Sequence, residues 1–179
     1  MKNKKGFTLL ELLIAATIVG GLAVFATMAY KKSVAETRLA SAKTRAEVLF
    51  NAVQRFQLDY GVHSFKNVSM TNANQADIGV CNPPSDELDS NILIYCQYLE
   101  NGGWGKSTAE GSQDEIYFTF RICDRTDTDS LCAKSPVGEL KVCMSGTDND
   151  KLENWMKGSK GYAYCIGESG PKETFGSNE

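Results

Sequence analysis

Three kinds of residue in this chain have types and spacings that could do chemistry: six cysteines, one glutamate inside an apolar run, and two short acidic clusters. The cysteines are Cys81, Cys96, Cys123, Cys132, Cys143 and Cys165, an even set confined to the part beyond the apolar run. In an exported domain such a set reads as a disulfide framework. Zinc is the competing chemistry. No two cysteines have CxxC spacing, and the only histidine, His63, stands far from most of them, so no metal site is expected. The acidic clusters, Asp124 to Asp129 and Asp148 to Asp150, offer the oxygens calcium prefers, but neither has the glycine and closing glutamate of an EF-hand loop. They read as solvated turns and a helix cap. No nucleophile–base–acid set, P-loop or dinucleotide fingerprint appears, so neither an enzyme nor a cofactor is expected.

The lone glutamate is Glu11. From Phe7 to Tyr30 it is the one charged residue, in a run that spans about 36 Å as a helix and is long enough to cross a hydrocarbon core. A carboxylate there costs roughly 2.5–3.5 kcal/mol on insertion scales, so it needs a partner or a task. Lys2, Lys4 and Lys5 precede the run and follow the positive-inside tendency, which puts everything after the run on the far side of the membrane. Setting them aside leaves 16 of the 19 basic residues against 22 acidic ones. Nucleic-acid binding needs clustered Lys and Arg, and this balance does not supply it.

The segment Lys4-Lys5-Gly6-Phe7-Thr8-Leu9-Leu10-Glu11 resembles the class III signal of type IV prepilins and type II secretion pseudopilins. The resemblance is close over about the first 60 residues and architectural beyond them. It implies that a prepilin peptidase and N-methyltransferase cuts between Gly6 and Phe7 and methylates the new amine on Phe7. It also implies a subunit held in the inner membrane, then drawn by a pilus assembly machinery into an extracellular filament or a periplasm-spanning pseudopilus. Glu11 fits that picture physically. In a staggered array the Glu11 of one copy neutralises the Phe7 amine of the next, sets the axial register and removes two uncompensated charges from an apolar core. An ordinary secretory signal, with Thr27-Met28-Ala29 as its cleavage site, is the competing reading. An acid early in the run and the run's length both speak against it.

The elements that must carry these residues follow from periodicity. Ala35, Leu39, Ala42, Ala46, Leu49, Val53, Phe56 and Tyr60 alternate four and three apart, a helical seam flanked by charged residues and stopped at Gly61. One helix of about 81 Å would thus run from Phe7 to Tyr60. Many pilins have a proline late in the apolar run. This chain has none there, and Gly20-Gly21 is the weak point of that stretch. Later, Glu115 to Arg125, the stretch about Val142 and the stretch about Tyr164 alternate as strands do. An antiparallel meander of three or four strands, its apolar face on the helix seam, is the economical arrangement. Proximity along that meander favours Cys81–Cys96, Cys123–Cys132 and Cys143–Cys165 among the fifteen connectivities open to six cysteines. A short helix is expected near Lys151 to Met156, and Asn91 to Leu99 is either strand or helix.

The expected chain is therefore α+β and pilin-like, a long helix packed on a small antiparallel sheet with a disulfide-stapled head. Its divisions are a leader at 1–6, a membrane and filament-core helix at 7–30, an amphipathic continuation at 31–60 and a head at 61–179. The expected function is that of a structural subunit polymerising with itself or with other pilins. A pilus is favoured over a pseudopilus by the three candidate disulfides. From another functional class, the competing reading is a tethered monomeric binding domain.

Overall fold

A computed structural model describes residues 8–61, 64–66, 68–73, 77–83, 87–102, 104, 117–125, 131–134, 139–148, 150, 152–158 and 161–174. The chain divides into two compact units, Met1–Thr37 and Arg38–Glu179. Helix α1 covers Leu9–Tyr60 without a break. Gly20 and Gly21 lie inside it, so the expected weak point does not interrupt the helix.

In the first unit the apolar side chains from Leu9 to Tyr30 are exposed all round the helix. In the second, Leu39, Ala42, Ala46, Leu49, Val53 and Phe56 are buried, as the seam requires, and Phe50 and Ala52 join them. Tyr60, the last residue of the expected seam, is instead 44% exposed and stacks on Phe56 with ring centroids 5.0 Å apart. The helix ends where Gly61 takes φ 90°, and its N–H still donates to the Gln57 carbonyl at 3.0 Å. That left-handed position suits glycine because it has no Cβ.

Four strands form one antiparallel sheet in chain order: β1 (Phe118–Cys123), β2 (Lys141–Gly146), β3 (Ala163–Gly167) and β4 (Gly170–Thr174). The register aligns Phe120, Met144, Tyr164 and Glu173 in one row across the sheet. This row meets α1. Tyr164 Oη donates to Glu47 Oε1 at 3.2 Å, Lys43 pairs with Glu173, and the Lys43 ammonium lies 5.4 Å from the Tyr164 ring centre. Arg45 stands over Trp104, whose ring meets Phe120 edge-on at 5.6 Å. The apolar face of the sheet and the helix seam thus close one core.

Between helix and sheet the chain is held by side chains acting as backbone. The Asn101 amide donates to the Ala73 carbonyl and accepts from the Ala73 N–H, both at 2.9 Å. Asn91 accepts from the Thr71 N–H at 3.3 Å and donates to the Thr71 hydroxyl at 2.9 Å, and Asn72 accepts from the Trp104 N–H at 3.0 Å. The ambiguous stretch after Asn91 resolves as a single helical turn, α2 (Ile92–Tyr95), with Ile92, Leu93 and Ile94 buried. The short helix expected before Met156 is a 3₁₀ turn at Asn154–Met156. Lys151, the expected start of that helix, and Glu115, the expected start of the first strand, lie outside the described residues.

Candidate functional site

The start of α1 is built from Thr8 and Glu11. Helix N-termini leave four backbone N–H groups without intrahelical partners. Here the Glu11 N–H donates to Thr8 Oγ1 at 3.3 Å, while the Thr8 N–H donates to Glu11 Oε2 at 2.9 Å. The Thr8 hydroxyl adds a second bond to the same Oε2 at 3.0 Å. This is a reciprocal capping box, worth on the order of 1 kcal/mol to the helix. Its pattern, Thr-x-x-Glu before an apolar run, stands in the sequence beside the more conspicuous isolated charge. The carboxylate therefore has partners inside its own chain, at Thr8. Both bonds fall on Oε2, and Oε1 accepts none from a described residue.

Two other polar groups interrupt the apolar run and both are satisfied internally. Thr17 Oγ1 donates to the Ile14 carbonyl and Thr27 Oγ1 to the Val24 carbonyl, each at 2.8 Å. Hydroxyls that turn back on the helix leave its outer surface apolar. Among the described residues α1 is the one helix long and apolar enough to cross a membrane, and its apolar stretch is exposed. Nothing lies within 4 Å of a Cβ placed on Gly20 or Gly21. No packing inside the described chain calls for glycine there, although each costs about 1 kcal/mol against alanine in a helix. Gly6 and Phe7, the expected processing residues, lie outside the described residues.

The cysteines pair as Cys81–Cys96, Cys123–Cys132 and Cys143–Cys165, with none free. Cys143 and Cys165 sit opposite each other on β2 and β3. With Cys123 and Cys132 they form a buried cluster on the sheet face turned away from α1, and Leu131 packs against it. Cys81–Cys96 is less buried and closes the segment around α2. No group of three or more metal-ligating side chains occurs among the described residues. Of the acidic clusters, Asp148 and Asp150 are exposed, and Asp150 lies 3.6 Å from the Lys157 ammonium. Asp127 and Asp129 of the first cluster and Asn149 of the second lie outside the described residues, as does His63.

Comparison with known proteins bears on the N-terminal region first. A family profile, the prokaryotic N-terminal methylation motif, matches residues 1–30. The chain is 39% identical over 83 residues to a type IV major pilin protein, PilE1, of Neisseria gonorrhoeae, covering 46% of each chain. It is also 39% identical over 75 residues to a fimbrial protein of Neisseria meningitidis serogroup A, covering 42% of this chain and 44% of the relative. The chain thus spans a little under half the length of the curated relatives it matches. No solved structure matches.

Proposed function

We propose, from the premise that this chain is a member of the type IV pilin family, that it is a structural subunit of a pilus-like filament assembled through the first half of α1. The observation that carries this reading is the contrast within one helix. The methylation motif at residues 1–30 contains the helical stretch from Leu9 to Tyr30, whose apolar surface has no partner among the described residues, while the second half of the same helix contributes to the core of a folded head. Burying that first surface against lipid, and then against the stems of neighbouring copies, completes it in two successive solvents.

In this reading a prepilin peptidase opens the Gly6–Phe7 bond and the new Phe7 amine is methylated. The amine belongs to the residue before the capping Thr8 in the sequence, and Glu11 Oε1 accepts no hydrogen bond from a described residue. In the filament, pairing of a neighbour's Phe7 amine with that oxygen leaves the cap intact and brings two opposite charges into contact as water is excluded. The head, beyond the membrane, is the filament's outer surface. Its role is structural rather than catalytic.

Mass spectrometry of the N-terminus of protein recovered from sheared filaments tests the proposal. A chain beginning at methylated Phe7 is expected. An intact Met1 would point to a tethered monomer, and a start at Tyr30 to an ordinary secreted domain; either would defeat the reading.

A further inference from the structure

Two exposed features of the head unit complement one another. On the side of α1 turned away from the seam, Val48, Asn51, Arg55 and Leu58 follow at helical spacing, all exposed. Leu58, 85% exposed, is the most exposed large apolar side chain of the described head. Arg55, one turn before it, makes no ion pair or hydrogen bond with a described residue. Leucine and guanidinium thus form a ridge with an apolar part and a cationic part.

The second feature is a cleft of about 440 Å³ beside α2. The buried side chains of Leu88 and Ile92, with exposed Val80, give it an apolar wall. Its rim carries Asp77, Glu87 and Asp89 against one cation, Lys66. Asp89 is engaged by the Asn91 N–H at 3.0 Å. The Asp77 and Glu87 carboxylates have no partner among the described residues. Three carboxylates against one ammonium give the opening a field that draws a cation.

We infer that this cleft receives the Arg55–Leu58 ridge of a second copy of the chain in the filament, an inference that rests on the polymer reading above. The complementarity is twofold: leucine covers the apolar wall as guanidinium meets Asp77 and Glu87, whose planar acceptors suit arginine. Ridge and cleft are different patches of one subunit, so the contact is head-to-tail. Such a contact propagates into rings or open helical arrays rather than closing as a two-fold dimer. Glu11 then sets the stems and this contact sets the heads.

The test uses the full chain, expressed as the sole pilin, with sheared filament yield as the readout. Arg55→Glu and Glu87→Arg should each lower yield roughly ten-fold or more, as loss of a desolvated charge pair does. The two together should restore most of it. An added Leu58→Cys with Val80→Cys pair should give cross-linked ladders from oxidised filaments. Wild-type filaments with both single variants at full yield sink the docking alone. So does a combined variant no better than either single one while processed, disulfide-intact protein accumulates. A wild-type chain that makes no filament sinks the polymer reading and this docking with it.

Discussion

The two units of this chain solve opposite problems with the same helix. In the first, the apolar side chains from Leu9 to Tyr30 are exposed all round, and the hydroxyls of Thr8, Thr17 and Thr27 and one oxygen of Glu11 find partners within a turn of themselves. In the second, the seam, the sheet and two of the three disulfides are buried, and side chains as far apart as Asn101 and Ala73 hold each other. The first unit is therefore complete only in a surrounding that is not water, whereas the second is complete in water. On the proposed reading the stem drives assembly and the head carries the folding stability, with its ridge and cleft as a second assembly contact, and substitutions should separate accordingly.

The largest separation is expected at Glu11. Glu11→Leu removes the charge and the capping box together. Membrane insertion should become easier, by roughly 3 kcal/mol on insertion scales, and cleavage should persist. Filament yield should fall to near nothing, because the Phe7 amine then enters an apolar core unpaired, at about 3–5 kcal/mol per subunit. Glu11→Gln sharpens the point, since glutamine can serve a capping box but carries no charge. If the Glu11→Gln variant forms filaments at normal yield, the cap was the requirement and the ion pair was not.

The converse is expected in the head. Cys143→Ser with Cys165→Ser opens the bridge between β2 and β3 and should cost about 2–5 kcal/mol. Gly146→Ala should cost a comparable amount, on the order of 3 kcal/mol, because its Cβ would stand 1.8 Å from the Met156 carbonyl oxygen. Both should lower the melting temperature of the full chain in detergent and leave processing and insertion untouched. A stem that fails to insert in either variant would break the division between the units.

How much of this was legible in the sequence differs between the units for the same physical reason. The stem's character is local: composition and a seam repeating every three or four residues declare it without knowledge of the fold. The alternation of Phe118, Phe120 and Ile122 declared β1 in the same way. A meander of three or four strands was expected, but the place of the fourth was not legible because Gly170-Pro171-Lys172-Glu173-Thr174 has no apolar alternation, as suits an edge strand whose proline and charges discourage further pairing. The asparagine brackets were invisible because each joins residues distant in the chain. Lys141 alternates as an outward residue should, yet it is buried to 1% exposure on the sheet face that carries the buried cysteine cluster.

The smallest effect tests the joint between α1 and the sheet. Tyr164 is buried and its hydroxyl meets the exposed Glu47 carboxylate. Burial first, then the Glu47 charge and hydrogen bond, push its pKa up to about 12 from an ordinary 10.0. The folded state thus favours the neutral phenol. That contribution is fully present below pH 10 and is lost as pH rises from about 10 to about 12. Tyr164→Phe keeps the ring beneath Lys43 and removes the hydroxyl. At pH 7 it should cost about 0.5–1.5 kcal/mol, toward the lower end because exposed Glu47 recovers water. At pH 11 wild type has given up part of the same contribution, so the difference in melting temperature between the two proteins should shrink. Tyr162 is also raised to about 12, first by burial and then by the Tyr164 charge; Tyr164→Phe removes that second cause, which acts in the same direction and shrinks the gap further. A gap unchanged between pH 7 and pH 11 would mean that the Tyr164 hydroxyl does not fasten the helix to the sheet.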